Sequence, residues 1–95
     1  MKILENEGAK LLIDALVNID NEEDMKCFLV DLMTTKELLD MSQRMQVASL
    51  LKQGMVYSKI AEITGASTAT ISRVSRSYSY GEDGYKKAFD ATKNN

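Results

Sequence analysis

The residues best suited to chemistry lie in a stretch of small and basic side chains, YSKIAEITGASTATISRVSR, which runs from Tyr57 to Arg76. Small side chains let a helix backbone come close to DNA, and threonine can contact a thymine methyl or a base edge. Arginine can bind guanine or phosphate, and a lysine on a preceding helix can bind the DNA backbone. We therefore predict DNA contacts from eight side chains: Lys59, Ser67, Thr68, Ala69, Thr70, Ser72, Arg73 and Arg76.

The same stretch meets the geometric requirements of a helix-turn-helix, in which two short helices are joined by a tight turn. Gly65 tolerates the positive φ that the turn needs, and Ala61 is small enough to lie where the helices cross. Ser67 is a suitable N-cap for the second helix. The positions predicted to face inward are Ile60, Ile63, Ile71 and Val74. Ordinary helical hairpins use similar residues, so the alternative function is a helix-turn-helix module that binds proteins without binding specific DNA.

The charge of the chain changes along its length in a way that fits DNA binding. The whole chain carries a net charge of −2. Residues 1–43 contain four lysines and ten acidic residues, whereas residues 44–80 contain five basic residues and one acid, Glu62. Their net charges are therefore −6 and +4, and residues 81–95 are neutral overall. The only basic segment is the one with the DNA-binding pattern, as attraction to phosphate requires.

The elements that must position these side chains are all predicted to be helices. The chain has no proline and only 6% aromatic residues, which favours an all-α fold. Apolar spacing predicts a first helix from about Leu4 to Asn18, and Asn21 is a suitable N-cap for a second helix over residues 22–33. A capping box formed by Thr34 and Glu37 predicts the start of a third helix.

The third helix is predicted to end at Gly54, and its apolar residues cover a wider face than a surface helix needs. We therefore expect it to be either the central helix of the fold or an element shared with a second subunit. A last helix should turn Tyr85, Ala88 and Phe89 inward.

The chain lacks the residues that other classes of function need. The chain has no histidine, no cluster of metal-ligating residues and no glycine-rich phosphate loop, so we expect neither an enzyme nor a metal site. Its single cysteine, Cys27, has no histidine to activate it and is expected to be a buried small hydrophobe or a bystander. No apolar run is long enough to cross a membrane, and the N-terminus lacks the apolar core of a secretion signal. We therefore expect a cytoplasmic protein.

Residues 44–85 also carry a recognisable motif. It reads R-x-x-V-x-x-L-L-x-x-G, then Y-x-x-I, T-G-A-S-x-A-T-I-S-R-V and Y-G-x-x-G-Y, from Arg44 to Tyr85. This pattern resembles the Trp repressor superfamily, and in particular its Trp repressor-related branch of the YerC/YecD type. The resemblance covers roughly residues 20–90 and implies an all-α, intertwined homodimer that represses transcription through its helix-turn-helix. The chain, 1–95, is then one domain with dimerisation helices at about 1–54, the helix-turn-helix at 57–78 and a C-terminal helix at 84–93.

The resemblance also raises the question of a corepressor. In Trp repressors, two arginines and a threonine serve the tryptophan pocket, and they match Arg44, Arg73 and Thr35 here. Val74 stands where the repressor has a glycine, and Thr34 replaces an apolar residue of the pocket. We therefore expect no tryptophan cofactor. Two hypotheses remain for the arginines: both bind DNA phosphates in a constitutive protein, or they bind a different small anionic effector.

Overall fold

The computed structural model describes residues 1–92, and all regular structure within that range is helical. A short 3-10 turn at Lys2–Leu4 precedes the first helix. The helices are α1 (Glu7–Asn18), α2 (Glu22–Leu32), α3 (Thr35–Lys52), α4 (Tyr57–Thr64), α5 (Thr68–Tyr80) and α6 (Gly84–Thr92). The all-α prediction is confirmed, and residue 93 of the predicted last helix lies outside the described residues. No helix within residues 1–92 is long and apolar enough to span a bilayer.

Asparagine caps set the start of the first two helices. The Asn6 side-chain oxygen accepts a hydrogen bond from the backbone N–H of Ala9 at 2.8 Å, and Asn21 does the same for Asp24 at 2.8 Å. Such a cap satisfies an N–H that has no partner within the helix. The cap predicted at Asn21 is confirmed. The predicted start of the first helix at Leu4 is wrong, because the cap at Asn6 begins α1 at Glu7.

The capping box predicted for α3 is confirmed. The Thr34 hydroxyl accepts from the Glu37 N–H at 3.1 Å, and the Glu37 carboxylate accepts from the Thr34 N–H at 2.9 Å. The backbone hydrogen bond from Thr34 is the main reason why the pKa of Glu37 lies below its ordinary value, and the Thr34 side chain lowers it further. Past the other end of α3, Gly54 adopts a φ of 79°, as expected of a terminating glycine.

The chain divides into two compact units, and the first, Met1–Leu38, contains the turn, α1, α2 and the start of α3. No residue within 1–38 is buried. Large apolar side chains on α1 are instead open to solvent, with Leu11 71% exposed and Val17 74% exposed. Cys27 is also exposed, so of its two expected roles the buried hydrophobe is wrong and the bystander stays a prediction. This unit has the apolar residues for a core but does not bury them within its own chain.

The second unit begins at Leu39 and contains a true hydrophobic core. Its buried residues come from α3, α4, the turn that follows α4, and α5; they are Val47, Ala48, Ile60, Ala66, Ile71 and Val74. Ile60, Ile71 and Val74 are confirmed as inward-facing. Ile63 is not, because it is 46% exposed, and Ala66 in the turn, which is 5% exposed, packs into the core instead. Leu39, Met41 and Met45 of α3 are exposed, so α3 is not a central helix buried by its own chain, and its predicted alternative role as an element shared with a second subunit stays a prediction.

Aromatic and basic side chains attach α6 to α5 and α3. The Tyr78 and Tyr85 rings lie 6.4 Å apart, and Lys86 Nζ lies 5.3 Å from the Tyr78 ring centre. Lys52 Nζ lies 5.2 Å from the ring centre of Phe89. The predicted inward packing of Tyr85 and Phe89 is confirmed, whereas Ala88 is exposed.

Candidate nucleic-acid interface

α4 and α5 form the predicted helix-turn-helix. α4 is two turns long and ends at Thr64, and Gly65 then reverses the chain with a φ of 73°. The Gly65 N–H donates to the Ala61 carbonyl oxygen at 2.9 Å, so the turn closes tightly on the last turn of α4. Only glycine adopts this left-handed conformation without a steric cost from a side chain.

A hydrogen-bond network that the sequence did not reveal holds this turn. The Thr64 hydroxyl donates to the Ile60 carbonyl at 2.7 Å and accepts from the Ala66 N–H at 3.1 Å. From α3, Gln43 Nε2 donates to the Thr64 backbone carbonyl at 3.2 Å. Gln43 and Thr64 are 21 residues apart, so neither helical spacing nor turn chemistry could have predicted this bond.

Ser67 begins α5 as predicted. Its hydroxyl oxygen accepts from the Thr70 N–H at 3.1 Å and also donates to the Thr70 hydroxyl at 3.1 Å. Both residues were predicted to contact DNA, and the structure gives each hydroxyl a partner at the first turn of α5. Thr70 is half-buried, so it is less accessible than Thr68 and Ala69.

The outer face of α5 is open to solvent. Its exposed residues include all the other positions on α5 predicted to contact DNA, namely Thr68, Ala69, Ser72, Arg73 and Arg76. A shallow cavity of about 240 Å³ is lined by Ala69, Ser72 and the two arginines. Among residues 1–92, neither Arg73 nor Arg76 forms an ion pair. Two guanidinium groups are therefore available to an anion at this surface.

Lys59, the predicted DNA contact on α4, is exposed and lies 3.7 Å from the Glu62 carboxylate. Glu62 is the only acid between residues 44 and 80. An exposed pair three residues apart contributes at most about 1 kcal/mol and is screened by salt, so Lys59 can exchange this partner for a phosphate.

The three residues matched to a corepressor pocket are divided between the two units. Thr35 belongs to the first unit, at the start of α3, whereas Arg44 and Arg73 belong to the second. Arg44 is exposed on α3 but does not line the cavity that Arg73 lines. Val74 is 2% exposed and packs in the core.

A second cavity lies between α3, the end of α5 and α6, and its lining includes residues that sequence reasoning had not grouped. It has a volume of about 530 Å³ and is mainly apolar. Its walls are Met45, Ser77, Gly81, Glu82, Gly84, Tyr85 and Ala88. The exposed Met45 and Ala88 therefore share one apolar concavity of the second unit. No group of three or more potential metal ligands occurs within the described part of the chain.

Comparisons with known proteins agree with this architecture. The family model described as "Trp repressor protein" matches residues 7–93. The chain is 41% identical to the uncharacterised protein YerC of Bacillus subtilis (strain 168), over 98% of this chain and 91% of that protein. A solved structure described as a TrpR-like protein from Eubacterium eligens superposes with a TM-score of 0.89 at 41% identity, over 96% of this chain and 94% of that one. A structure from Staphylococcus aureus gives a TM-score of 0.88 at 42% identity, over 95% and 90%.

Proposed function

This chain belongs to the Trp repressor family, and we propose that it is a transcriptional regulator, a repressor, that binds specific DNA sequences as a homodimer in the cytoplasm. The observation that carries this proposal is the exposed face of α5. There, two arginines that form no ion pair with any described residue lie beside small side chains, and the start of the helix is capped by Ser67.

The geometry of α5 suits the major groove. Its N-terminal turn presents Thr68 and Ala69, whose short side chains leave room for the backbone to approach base edges. Arg73 and Arg76 lie further along the same exposed face, where they can reach guanine or phosphate. Lys59 on α4 supplies a further phosphate contact, so the helix-turn-helix can hold the DNA backbone while α5 meets the bases.

Two observations support a homodimer. The first unit exposes the apolar side chains of α1 and buries nothing within its own residues, and the second unit has an open apolar cavity. The two units also differ in charge, because residues 1–38 carry −5 and residues 39–95 carry +3. A second copy supplies both apolar area and opposite charge, and two recognition helices one DNA turn apart can read a palindrome.

We further propose that tryptophan is not the effector of this protein. By resemblance, Val74 stands where Trp repressors have a glycine that leaves space for the indole ring, and the Val74 side chain of α5 is buried in the core. Two roles for Arg44 and Arg73 stay open, namely phosphate contacts in a constitutive repressor and binding of a different small anion.

Selection of duplexes from a randomised pool tests the proposed function. The wild-type chain should enrich one sequence with two related half-sites, and its affinity should fall steeply between about 50 and 200 mM salt. A chain that enriches no duplex at about 50 mM salt would instead be a protein-docking helix-turn-helix module.

A further inference from the structure

We propose that the hydrogen bond from Gln43 to Thr64, together with the Thr64 hydroxyl, positions α5 for sequence-specific binding. The proposal rests on the proposed function, because α5 is the helix proposed to read DNA. It adds two residues to the eight predicted DNA contacts, and both act on the position of α5 rather than on DNA itself.

The first step is the bond between α3 and the end of α4. Thr64 is the last residue of α4, so its backbone carbonyl has no N–H partner within its own helix. Gln43 Nε2 donates to this carbonyl oxygen at 3.2 Å, and both residues are half-buried. A side chain of α3 therefore holds the residue at which the helix-turn-helix turn begins.

The second step is the double role of the Thr64 hydroxyl. It donates to the Ile60 carbonyl at 2.7 Å and accepts from the N–H of Ala66 at 3.1 Å. Ala66 is the middle residue of the turn, and its side chain is buried in the core. The hydroxyl therefore ties the middle of the turn to the last turn of α4.

The third step is the short path from the turn to α5. Ser67 caps α5 and directly follows Ala66, so a displacement of the turn moves the helix start that presents Thr68 and Ala69. On the other side, Val47 anchors α3 in the core one turn beyond Gln43. The network thus links a buried part of α3 to the first turn of α5.

Loss of this link lowers the fraction of chains that hold α5 in the binding orientation. Apparent affinity falls in proportion to that fraction, even when every DNA contact is intact. Charge-mediated binding to any DNA sequence depends much less on orientation, because it follows the number of basic side chains near phosphate. A positioning role therefore predicts a loss of specific affinity without a loss of non-specific affinity.

The test uses four uncharged variants of the full chain. Gln43→Met keeps the length of the side chain and removes the donor, and Thr64→Val keeps the shape and removes the hydroxyl. Thr64→Ser retains the hydroxyl and should rescue the effect. Gln46→Met is the matched control, because Gln46 is exposed on the same helix. Affinity is measured for the duplex that the wild-type chain selects from a randomised pool and for an unrelated duplex, and amide exchange at Ala66 is followed in the free protein.

We expect Gln43→Met and Thr64→Val to bind the selected duplex about 2- to 10-fold more weakly, the range that one hydrogen bond accounts for. Their affinity for the unrelated duplex and its salt dependence should match the wild type, and Ala66 should exchange faster. Thr64→Ser and Gln46→Met should behave as the wild type.

Two kinds of result would overturn the positioning role, and they differ in what they mean for the proposed function. Wild-type affinity in both variants, or equal losses for both duplexes, would show that the bonds contribute to stability alone while the proposed function stands. Failure of the wild-type chain to enrich any duplex would remove the proposed function and the positioning role with it. Amide exchange at Ala66 would then still report whether the hydroxyl restrains the turn.

Discussion

Arg73 and Arg76 lie three residues apart on α5, and both line one shallow cavity at its exposed face. Residues with this spacing are neighbours on a helix surface, so the two positive charges are concentrated in one place. Like charges repel, and within residues 1–92 no acidic side chain forms an ion pair with either of them. An anionic partner would relieve this repulsion, and DNA phosphate is the partner proposed here.

Arg76→Ala should weaken DNA binding by a similar factor for every sequence. Arg76 lies more than two turns into α5, away from the end that enters the groove, so we expect it to contact phosphate. The slope of log affinity against log salt should fall in magnitude by about 1. Lys87→Ala removes one exposed charge from α6 and is the matched control. The same slope for both variants would contradict the phosphate contact.

Arg73→Ala should also weaken binding to the selected duplex, by about 1–3 kcal/mol if the side chain reaches a guanine. In that case discrimination at one base-pair position should relax, whereas a phosphate contact would reduce affinity for all duplexes alike. Binding of a set of single-base variants of the selected duplex separates these results. Unchanged affinity for every duplex would exclude Arg73 from the interface.

The chain should be a homodimer at micromolar concentration. Light scattering should give twice the 10.6 kDa of one chain. Leu11→Gln should raise the dissociation constant on the order of 100-fold, because each dimer loses two buried leucine side chains worth about 1.5 kcal/mol each. Lys10→Gln changes the neighbouring exposed position and is the control. A wild-type mass of one chain, or no effect of Leu11→Gln, would contradict this interface.

Tryptophan should leave the melting temperature unchanged. A ligand at 100 times its dissociation constant adds about 2.7 kcal/mol, which would raise the midpoint of a domain of this size by about 10 °C or more. Because Val74, a residue of α5, stands where Trp repressors have a glycine, we expect no such rise. Thermal scans with tryptophan and with a panel of small anions test this, and a rise with tryptophan would show that the pocket is open despite Val74.

The capping box at α3 should make stability depend on pH. The pKa of Glu37 is lowered in the folded chain, so its contribution is fully present above the unfolded-state pKa and is lost as pH falls through the lower folded-state value. The difference in unfolding free energy between wild type and Glu37→Ala should therefore become smaller as the pH falls below 4.5, the ordinary pKa of the glutamate side chain. Thr34→Ala should cost about 1 kcal/mol by loss of the cap, and this cost should also become smaller at acidic pH, because the Thr34 side chain helps to lower the pKa of Glu37. Denaturant titrations from neutral to acidic pH measure both, and a gap for Glu37→Ala that stays constant would contradict the mechanism.

Local sequence signals were sufficient for most of the fold. Asn21, Thr34 and Ser67 were recognised as caps because a side-chain oxygen at a helix start has a fixed partner nearby in sequence. Asn6 has the same geometry, but the predicted first helix began at about Leu4 on apolar spacing, which does not mark a cap. The exposed face of α5 could also be assigned, because Ile71 and Val74 fix its opposite side in the core.

Tertiary packing determines the burial and the long-range contacts that local sequence patterns could not predict. Ile63 is apolar and one turn from Ile60, yet the tight turn at Gly65 brings Ala66 into the core and leaves Ile63 outside. The bond between Gln43 and Thr64 depends on how α3 meets α4, which no local pattern encodes. Exposed apolar residues such as Leu11 have a similar cause, because periodicity shows that a face is apolar without showing what covers it.

The exposure of Cys27 has a practical consequence. It is the only cysteine among 95 residues, and it lies on α2, away from the helix-turn-helix in the sequence. Because Cys27 is exposed in the single chain, a thiol-reactive dye has one defined attachment position in this sequence, without any engineered substitution. Donor and acceptor dyes on separate samples would turn subunit exchange into a fluorescence signal, and the time course of that signal would give the lifetime of the assembly.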